Sequence, residues 1–302
     1  MSSTVFTPGS RDGAELMQRA VKGRSLWDDA RRRLFRNKAA VAGMIVLGLL
    51  VLLAIVGPFF APYTYDQVNK PDVWSAPGQN GHLFGADSLG RDLLARLLTG
   101  LRVSLAIGFV ATLVSLVIGV TWGAVAGYIG GRLDEAMMRI VDVLYSLPFI
   151  FFVILLMVTF GRNFILMFVA IGAVEWLTMS RIVRGQTLSL KQKEFIEAAR
   201  AAGLSQAAII GRHIVPNLLG PVVVYVTLTI PAVILAESFL SFLGLGVQPP
   251  MASLGTLISQ GAQEMELAPW LLIFPSLTMV VTLLCFNFIG DGLRDAIDPK
   301  DR

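Results

Sequence analysis

The sequence predicts an all-α membrane protein with six transmembrane helices, and three observations lead to this prediction. Of the 302 residues, 55% are hydrophobic and only 15% are charged, which is typical of membrane proteins and not of soluble domains. The apolar residues form runs of about 20, long enough for a helix to cross the ~30 Å hydrocarbon core of a bilayer. Backbone amides need internal partners in lipid, so runs this long and continuous favour helices over barrel strands.

The transmembrane domain is predicted to occupy residues 40–302, after a shorter N-terminal region. The predicted spans are 40–60, 103–128, 137–160, 164–182, 220–245 and 269–289. The single cysteine, Cys285, lies in the last of them, so no intrachain disulfide can form, and we expect this thiol to pack as a small apolar group.

Basic residues are distributed unequally between the connecting segments. The N-terminal arm, the 129–136 turn, the 183–219 loop and the tail hold most of the 25 Lys and Arg residues, whereas 246–268 holds none. The positive-inside rule therefore predicts that both termini face the cytoplasm. The net charge of +4 follows from this topology, and no nucleic-acid binding is expected.

The region before the first span divides into two parts. Residues 1–23 mix Ser, Gly and charge without periodicity, and we expect a flexible cytoplasmic arm. Residues 24–39 carry Trp27, Ala30 and Leu34 at helical spacing among arginines, which predicts an interfacial elbow helix that lies on the membrane.

The longest extracytoplasmic loop is predicted over 61–102. Prolines and glycines make its first half irregular, and Asp87 or Ser88 is expected to cap a helix that continues through Leu97. The second span, which follows this loop, carries glycines four residues apart on one face, at 119, 123 and 127. These glycines permit close helix contact within the chain or with another subunit.

The sequence lacks the motifs of a catalytic or nucleotide-binding protein. No GxxxxGK[ST] phosphate loop occurs, and His82 and His213 are predicted on opposite sides of the membrane, so no zinc site or Ser–His pair is expected. Three acids lie in or near the spans: Asp142, Glu175 and Glu237. They are interpreted as polar contacts between helices or with a partner, and a role in the pore or in proton handling stays open.

The 183–219 loop carries a small-residue amphipathic segment outside the membrane. Phe195, Ile196, Ala199 and Ala202 fall on one side of a helical wheel over 188–202. Gly203 is predicted to end this helix in a left-handed conformation.

A second helix is predicted after this turn. Ser205 is expected to cap it, and Pro216 marks the return towards the membrane. The alanines of the first helix keep it slim enough to enter a groove on another protein. From composition alone, a loop that only caps its own bundle is equally consistent with the pattern.

Several motifs together resemble one family of transporters. EAA at 197–199, followed by Gly203 and HIVP at 213–216, resembles the cytoplasmic signature of membrane subunits of binding-protein-dependent ABC importers. FGADSLGRD at 84–92, ESFLSFLGLG at 237–246 and the C-terminal CFNFIGDGLRDAIDPKDR are similar to segments of the peptide and nickel subfamily. The likeness extends from about residue 24 to the end of the chain and is greatest to C-type permeases of oligopeptide importers. Two departures are Ala86 and Val215, where Thr and Leu are usual.

The resemblance implies a type I permease fold and a non-catalytic subunit of an ATP-driven importer in the bacterial inner membrane. The expected substrates are oligopeptides or dipeptides, with nickel as an alternative within the subfamily. The implied partners are a homologous second permease, an extracytoplasmic peptide-binding protein and two cytoplasmic ATPase subunits that hold ATP and Mg. No cofactor is expected in this chain.

The resemblance also assigns residues to roles. The residues expected to couple to the ATPase are Phe195, Glu197, Ala198, Ala199, Ala202, Gly203, His213 and Pro216. Those expected to shape the outer face, where the binding protein docks, are Phe84, Gly85, Asp87, Gly90, Arg91 and Asp92. The competing class is an ion-coupled secondary transporter, which would depend on Glu175 or Glu237.

Overall fold

The computed structural model describes residues 26–161 and 164–297, and the predicted flexible arm lies outside them. In this part of the chain all the regular elements are helices, and no β-strand is present. The helices are α1 (Leu26–Arg36), α2 (Lys38–Phe60), α3 (Leu93–Ile129), α4 (Gly131–Ser146), α5 (Phe149–Phe160), α6 (Phe164–Leu190), α7 (Glu194–Ala201), α8 (Gln206–Ile209), α9 (Val215–Phe242), α10 (Leu254–Gln263) and α11 (Trp270–Ile297).

Five of the six predicted spans each fall largely within one continuous helical run, and the third is divided between two helices. Among the described residues, α2, α3, α11 and the run from α8 through α9 are each long and apolar enough to cross a membrane. The pair α4 and α5 meets the same test only if it is counted as one bent span, which gives up to five. The fourth predicted span lies in α6. By this test the described residues contain four candidate spans, or five with the bent pair, and not the six predicted, because α6 is not among the helices that pass it.

The prediction of a continuous third span over 137–160 is wrong. The helix ends at Ser146, Leu147 is extended, and a new helix begins after Pro148. Proline disfavours the helical conformation of the residue before it and supplies no N–H for the helical ladder, which explains the break at this point.

The tightest helix pair in the bundle joins α3 to α6 through the glycines of α3. A Cβ added at Gly123 would collide with the backbone carbonyl of Ser180, and one at Gly127 would lie 2.9 Å from the Arg184 carbonyl oxygen. At Gly119 the obstructing group is the Met179 side chain. The prediction of close contact is therefore confirmed, and the contact is made within the chain.

Several helix ends lie together at one end of the bundle. Asn37 caps α2 through the Ala39 and Ala40 amides, at 3.1 and 3.2 Å. A Cβ at Gly292, near the end of α11, would meet the Ala40 side chain, and one at Gly220 would lie 3.3 Å from Ile297. The start of α2, the start of α9 and the end of α11 therefore lie together. Because α7 joins α6 to α9 here, we call this end the α7 end.

The opposite end, which we call the capped end, is closed by the segment 61–92 and by α10. Ser253 and Thr256 form a capping box at the start of α10. Leu254 and Leu257 of α10 pack in one cluster with Leu101 of α3. The cap is therefore part of the folded core.

We predict that Gly123→Ala will destabilise the protein by about 1–3 kcal/mol, because the added methyl group must push α3 away from the α6 backbone. Gly48→Ala on α2 is the matched control, since a Cβ there meets no atom within 4 Å. Thermal unfolding in detergent measures both variants. Equal melting temperatures for the two would contradict the close packing of α3 on α6.

Candidate functional site

Helix α7 has one buried and one exposed face. Ile196 is fully buried, and Ala199 is 7% exposed. Both belong to a cluster that includes Val183 of α6 and Leu218 of α9. The exposed face carries Phe195, which is 41% exposed. The helix is therefore anchored to the bundle on one side and open on the other.

The wheel placed Phe195 and Ala202 on the same side as Ile196 and Ala199, and this grouping is wrong, since Phe195 and Ala202 are exposed whereas Ile196 and Ala199 are buried. The wheel assumed one helix over 188–202, whereas the chain turns between the end of α6 and the start of α7 at Glu194. Adjacent positions on a helix are also 100° apart, so Phe195 and Ile196 cannot both lie at the centre of a narrow face.

Gly203 ends α7 as predicted, in a left-handed conformation with φ +80°. The Leu204 amide donates to the Ala199 carbonyl at 3.2 Å, and the Gly203 amide donates to the Arg200 carbonyl at 2.9 Å. These two bonds form a Schellman motif, which needs a residue that tolerates positive φ. A Cβ at Gly203 would meet no atom within 4 Å, so the requirement for glycine here comes from the backbone conformation.

The prediction that Ser205 caps the second helix is confirmed, because its hydroxyl accepts the Ala208 amide at 3.3 Å. The helix α8 is only one turn long and passes through a π-helical turn, Ile210–Ile214, into α9. Pro216 lies in the first turn of α9, so it marks the start of the returning span without a break in the chain direction.

Tyr128, at the end of α3, anchors the other side of α7. Its hydroxyl accepts a hydrogen bond from Arg200 Nε at 3.3 Å, and the guanidinium also lies 5.3 Å from the centre of the ring. The ammonium group of Lys191 lies 5.8 Å from the same ring. Two cations of the loop thus lie close to one aromatic ring, and this arrangement attaches α7 to α3 as well as to α6.

A bidentate ion pair attaches α6 to α4. Arg184 Nε and Nη2 donate to the two oxygens of Asp134 on α4 at 2.6 and 2.7 Å. Hydrogen bonding to Asp134 raises the pKa of Arg184, which lies beyond the predicted span. This pair joins the short helix α4 to the base of α6.

The residues predicted to couple to a motor share an exposed location around α7, with two exceptions. Phe195, Glu197, Ala198, Ala202, Gly203 and Pro216 are exposed, Ala199 is buried, and His213 is half-buried. The exposed face combines the small side chains of Ala198 and Ala201 with Phe195 and with the charged side chains of Glu194, Glu197 and Arg200. Such a surface permits close approach by another backbone and supplies one large apolar anchor.

The predicted outer-face residues at the capped end are mainly buried. Asp87 accepts Arg91 Nε at 2.8 Å and the Leu89 and Arg91 amides at 2.9 Å each. It also pairs with Arg96 of α3, which is 1% exposed and donates to Gln260 of α10 at 3.0 Å. One carboxylate therefore organises the turn and compensates two buried cations.

Asp92 is the N-cap of α3 and accepts the Ala95 amide at 2.7 Å. The prediction that Asp87 or Ser88 caps this helix is wrong. The hydrogen bonds of Asp87 go to its own turn, so helix formation begins only after Asp92.

His82 joins two parts of the outer loop. Its Nδ1 lies 2.8 Å from Asp92 and its Nε2 lies 3.4 Å from Asp72. The two carboxylates face opposite nitrogens of one ring and do not converge on a common point. Among the described residues, no group of three or more His, Cys, Asp or Glu side chains is arranged to hold a metal ion.

The remaining outer-face residues determine the path of the loop. Gly85 and Gly90 have φ values of +85° and +71°, and a Cβ on Gly90 would collide with the backbone of Asn69. Phe84 stacks on Phe274 of α11, with ring centres 4.3 Å apart. The segment 84–92 thus determines the shape of the cap through contacts within the loop.

The three acids predicted in or near the spans have different environments. Glu237 is fully buried and accepts hydroxyl groups from Ser241 at 2.6 Å, Ser253 at 2.7 Å and Ser104 at 3.3 Å. It therefore links α9 to α10 and α3. The interpretation as a polar contact between helices is confirmed for Glu237.

Asp142 and Glu175 differ from Glu237 in exposure. Asp142 is exposed and pairs with Arg181 of α6 at 2.8 Å. Glu175 is half-buried on α6, and its carboxylate makes no hydrogen bond or ion pair with any residue of the described ranges.

Several contact residues were not identified from the sequence. Arg96 carries a usable signal, because an arginine in the otherwise apolar run LLARLLTG needs a buried partner. Tyr128 and the pairing of Asp134 with Arg184 leave no such signal, because the two partners are about 50 or more residues apart in sequence.

Comparisons with known proteins agree with this geometry. A family model described as "Binding-protein-dependent transport system inner membrane component" matches residues 119–302, and one described as "N-terminal TM domain of oligopeptide transport permease C" matches residues 25–77. The chain belongs to the family of binding-protein-dependent transport system inner membrane components. It is a multi-pass inner-membrane protein and a permease subunit of an importer of this kind.

The chain is similar to several curated relatives. It is 59% identical over 283 residues to the oligopeptide transport system permease protein OppC of Escherichia coli K12, covering 93% of this chain and 94% of the relative. It is 55% identical over 298 residues to OppC of Haemophilus influenzae, covering 98% and 95%. The dipeptide transport system permease protein DppC of Bacillus subtilis is 44% identical over 279 residues, covering 92% and 87%.

A solved structure shares the fold. The chain matches the methionine ABC transporter MetNI in inward-facing conformations with a TM-score of 0.56 and 22% identity, covering 68% of this chain and 96% of that chain. This likeness shows the fold alone, which is the type I permease fold that the sequence predicts.

We predict that Asp87→Ala will destabilise the protein by about 3–5 kcal/mol, because it leaves the buried Arg96 without its counter-ion. Asp66→Ala in the same loop is the control, since Asp66 is exposed. The melting temperature of the purified protein measures the difference. A loss no larger for Asp87→Ala than for the control would contradict the role of Asp87 at the centre of the cap.

Proposed function

We propose that this subunit serves an ATP-driven importer of oligopeptides, and that α7 is the element through which the ATPase subunits move the bundle. The observation that carries the proposal is the two-sided structure of α7. Ile196 and Ala199 are fixed in the core, whereas Phe195 and Ala198 face outward and lack a partner within the described residues. The oligopeptide substrate is supported by the names of the relatives that are 55–59% identical to this chain.

The proposed mechanism is a rigid-body transfer of motion. ATP and Mg bind to two cytoplasmic ATPase subunits, whose closure moves a groove in which α7 is seated. Because α7 is fastened to Tyr128 of α3 and to the core around Val183 of α6, a force on α7 acts on both long helices. Shifting a pore from 1:99 to 99:1 between its two forms takes about 5.5 kcal/mol of differential binding, so this seat must be firm. This chain contributes no catalytic group in the proposal.

The proposed orientation places the α7 end in the cytoplasm together with both termini. The start of α2 and the end of α11 lie at that end, which agrees with the excess of basic residues in the connected segments. In this orientation α1 is an interfacial elbow helix that packs near Gly292 of α11. A homologous second permease would complete the pore.

The capped end is proposed as the docking side for an extracytoplasmic peptide-binding protein. The buried residues Asp87, Arg91 and Asp92 would act indirectly by fixing the shape of the cap. Direct contact would fall to exposed apolar side chains of the same loop, such as Trp74 and Leu83, which are 42% and 62% exposed. Exposed aromatic and aliphatic groups of this kind are common contact points between proteins.

The experiment that tests the proposed function is ATP-dependent uptake in proteoliposomes. The complex that copurifies with the tagged chain is reconstituted, supplied with its binding protein and offered labelled tetrapeptides, dipeptides and nickel. We expect two ATPase subunits and one further permease in the complex, and tetrapeptide uptake that tolerates ionophores. Preferred uptake of dipeptides, as the name of the 44% identical relative would suggest, or of nickel would correct the substrate. Uptake by the chain alone, abolished by ionophores, would refute the importer.

We predict that Gly203→Leu will uncouple transport, with ATP hydrolysis retained and peptide uptake reduced at least several-fold. The reason is the left-handed conformation at this position, which costs a residue with a Cβ roughly 1–2 kcal/mol and so favours a displaced turn.

Two matched variants distinguish an effect of backbone conformation from an effect of side-chain size. Gly203→Asn adds a side chain that tolerates the left-handed region and should retain more uptake than Gly203→Leu. Gly211→Leu adds the same bulk nearby, where a Cβ meets no atom within 4 Å and φ is not positive. Normal uptake by Gly203→Leu at normal membrane abundance would refute the role of this turn.

A further inference from the structure

A cleft of about 640 Å³ opens between α6, α9 and α11 towards the α7 end. Its walls are mainly apolar, with Val224 and Leu228 on α9 and Ile182 on α6. Three groups with hydrogen-bonding capacity also line it: Gln186, Tyr225 and Arg294. Nothing in the described chain covers its open side.

A carboxylate lies further along the face of α6 that lines this cleft. Glu175 lies on the same face of α6 as Ile182 and Gln186, seven and eleven residues before them, and its charge acts on Tyr225 of the cleft wall. It is half-buried, and it has neither a hydrogen bond nor an ion pair within the described ranges. At the other margin Arg294 is exposed and is also without an ion-pair partner among those residues. The cleft therefore has an acid at one end and a cation at the other.

The depth of Glu175 in the bundle argues against exposure to lipid. It lies eleven residues from the start of α6, or about 16 Å along the helix, which is near the middle of a bilayer. Ionisable groups at this depth are costly in hydrocarbon and face a water-filled path or a partner group. A phospholipid would suit Arg294 and the apolar walls, but its acyl chain would leave Glu175 without compensation.

The distance along α6 from Glu175 to Gln186 matches the length of a short extended peptide. The eleven residues from Glu175 to Gln186 span about 16 Å of helix. Arg294 lines the same cleft as Gln186. An extended peptide advances roughly 3.4 Å per residue, so about four to five residues reach from one margin to the other.

We propose that this cleft is a binding station on the translocation path for short peptides with free termini, in which Glu175 receives the N-terminal ammonium group and Arg294 the C-terminal carboxylate. The apolar walls between the two charges accept side chains of any sequence. The side-chain amide of Gln186 and the phenol of Tyr225 form hydrogen bonds with the peptide backbone. The second permease would close the open side. This inference rests on the proposed import of oligopeptides.

The test compares peptides that differ only at their ends. Wild-type and variant importers in proteoliposomes are offered tetraalanine, N-acetyl-tetraalanine and tetraalanine amide with the same binding protein, so its own preference cancels in each ratio. In Glu175→Gln we expect uptake of tetraalanine to fall about fivefold relative to the N-acetylated peptide. In Arg294→Gln the same loss should appear relative to the amide.

Exposed residues of α4 supply the controls. Glu135→Gln and Arg139→Gln make the same chemical changes outside the cleft and should leave all three uptake rates unchanged. Normal copurification of the partners shows that each variant has folded and assembled.

The outcomes separate this inference from the proposed function. Absence of tetraalanine uptake by the wild-type complex would reject the proposed function. Uptake by the wild type with unchanged ratios in Glu175→Gln and Arg294→Gln would overturn the binding station alone. Loss of copurified anionic phospholipid in Arg294→Gln, with unchanged ratios, would also overturn it and assign the cleft to lipid.

Discussion

The contact between α3 and α6 is the constraint on which the α7 end of this subunit depends. Three glycines of α3 remove the side chains that would hold the helices apart, and the backbones meet at Ser180 and Arg184. This contact brings Tyr128 to the base of α6, where it receives Arg200 of α7. Neither helix can move far without the other, and α7 is fastened to both. A small helix of eight residues, marginal in isolation, is thereby held rigidly against the bundle.

At the capped end, electrostatic contacts hold the helices together. Asp87 compensates Arg91 and the buried Arg96, and Glu237 gathers three hydroxyl groups from α3, α9 and the start of α10. Removal of either acid would leave buried polar groups without partners, which costs more than the net gain of the original bonds. The cap is therefore held rigidly against α3 and α9.

The sequence predicted the elements that depend on local chemistry. Apolar run length predicted the helices, Gly203 and Ser205 predicted the ends of α7 and α8, and the spacing of the α3 glycines predicted a close contact. It failed where several local signals competed or where the partner was distant. Asp87 is of a residue type that often caps helices, but it accepts hydrogen bonds within its own turn. Leu147 and Pro148 interrupt an apolar run. Phe195 is apolar but lies beside the buried face of α7. The partners of Tyr128, Asp134 and Glu237 depend on tertiary packing, which no local pattern records.

The central claim is that α7 moves as one body with α3, α4 and α6. Spin labels at Glu194 on α7 and Arg132 on α4, both exposed, allow their separation to be measured by pulsed electron resonance. The single native cysteine, Cys285, is only 5% exposed. The distance is recorded in the assembled importer without nucleotide and trapped with ATP. The account predicts the same distance in both states, while distances across the pore to the second permease change. A change between the two labels of about one helical turn, roughly 5 Å, would contradict it.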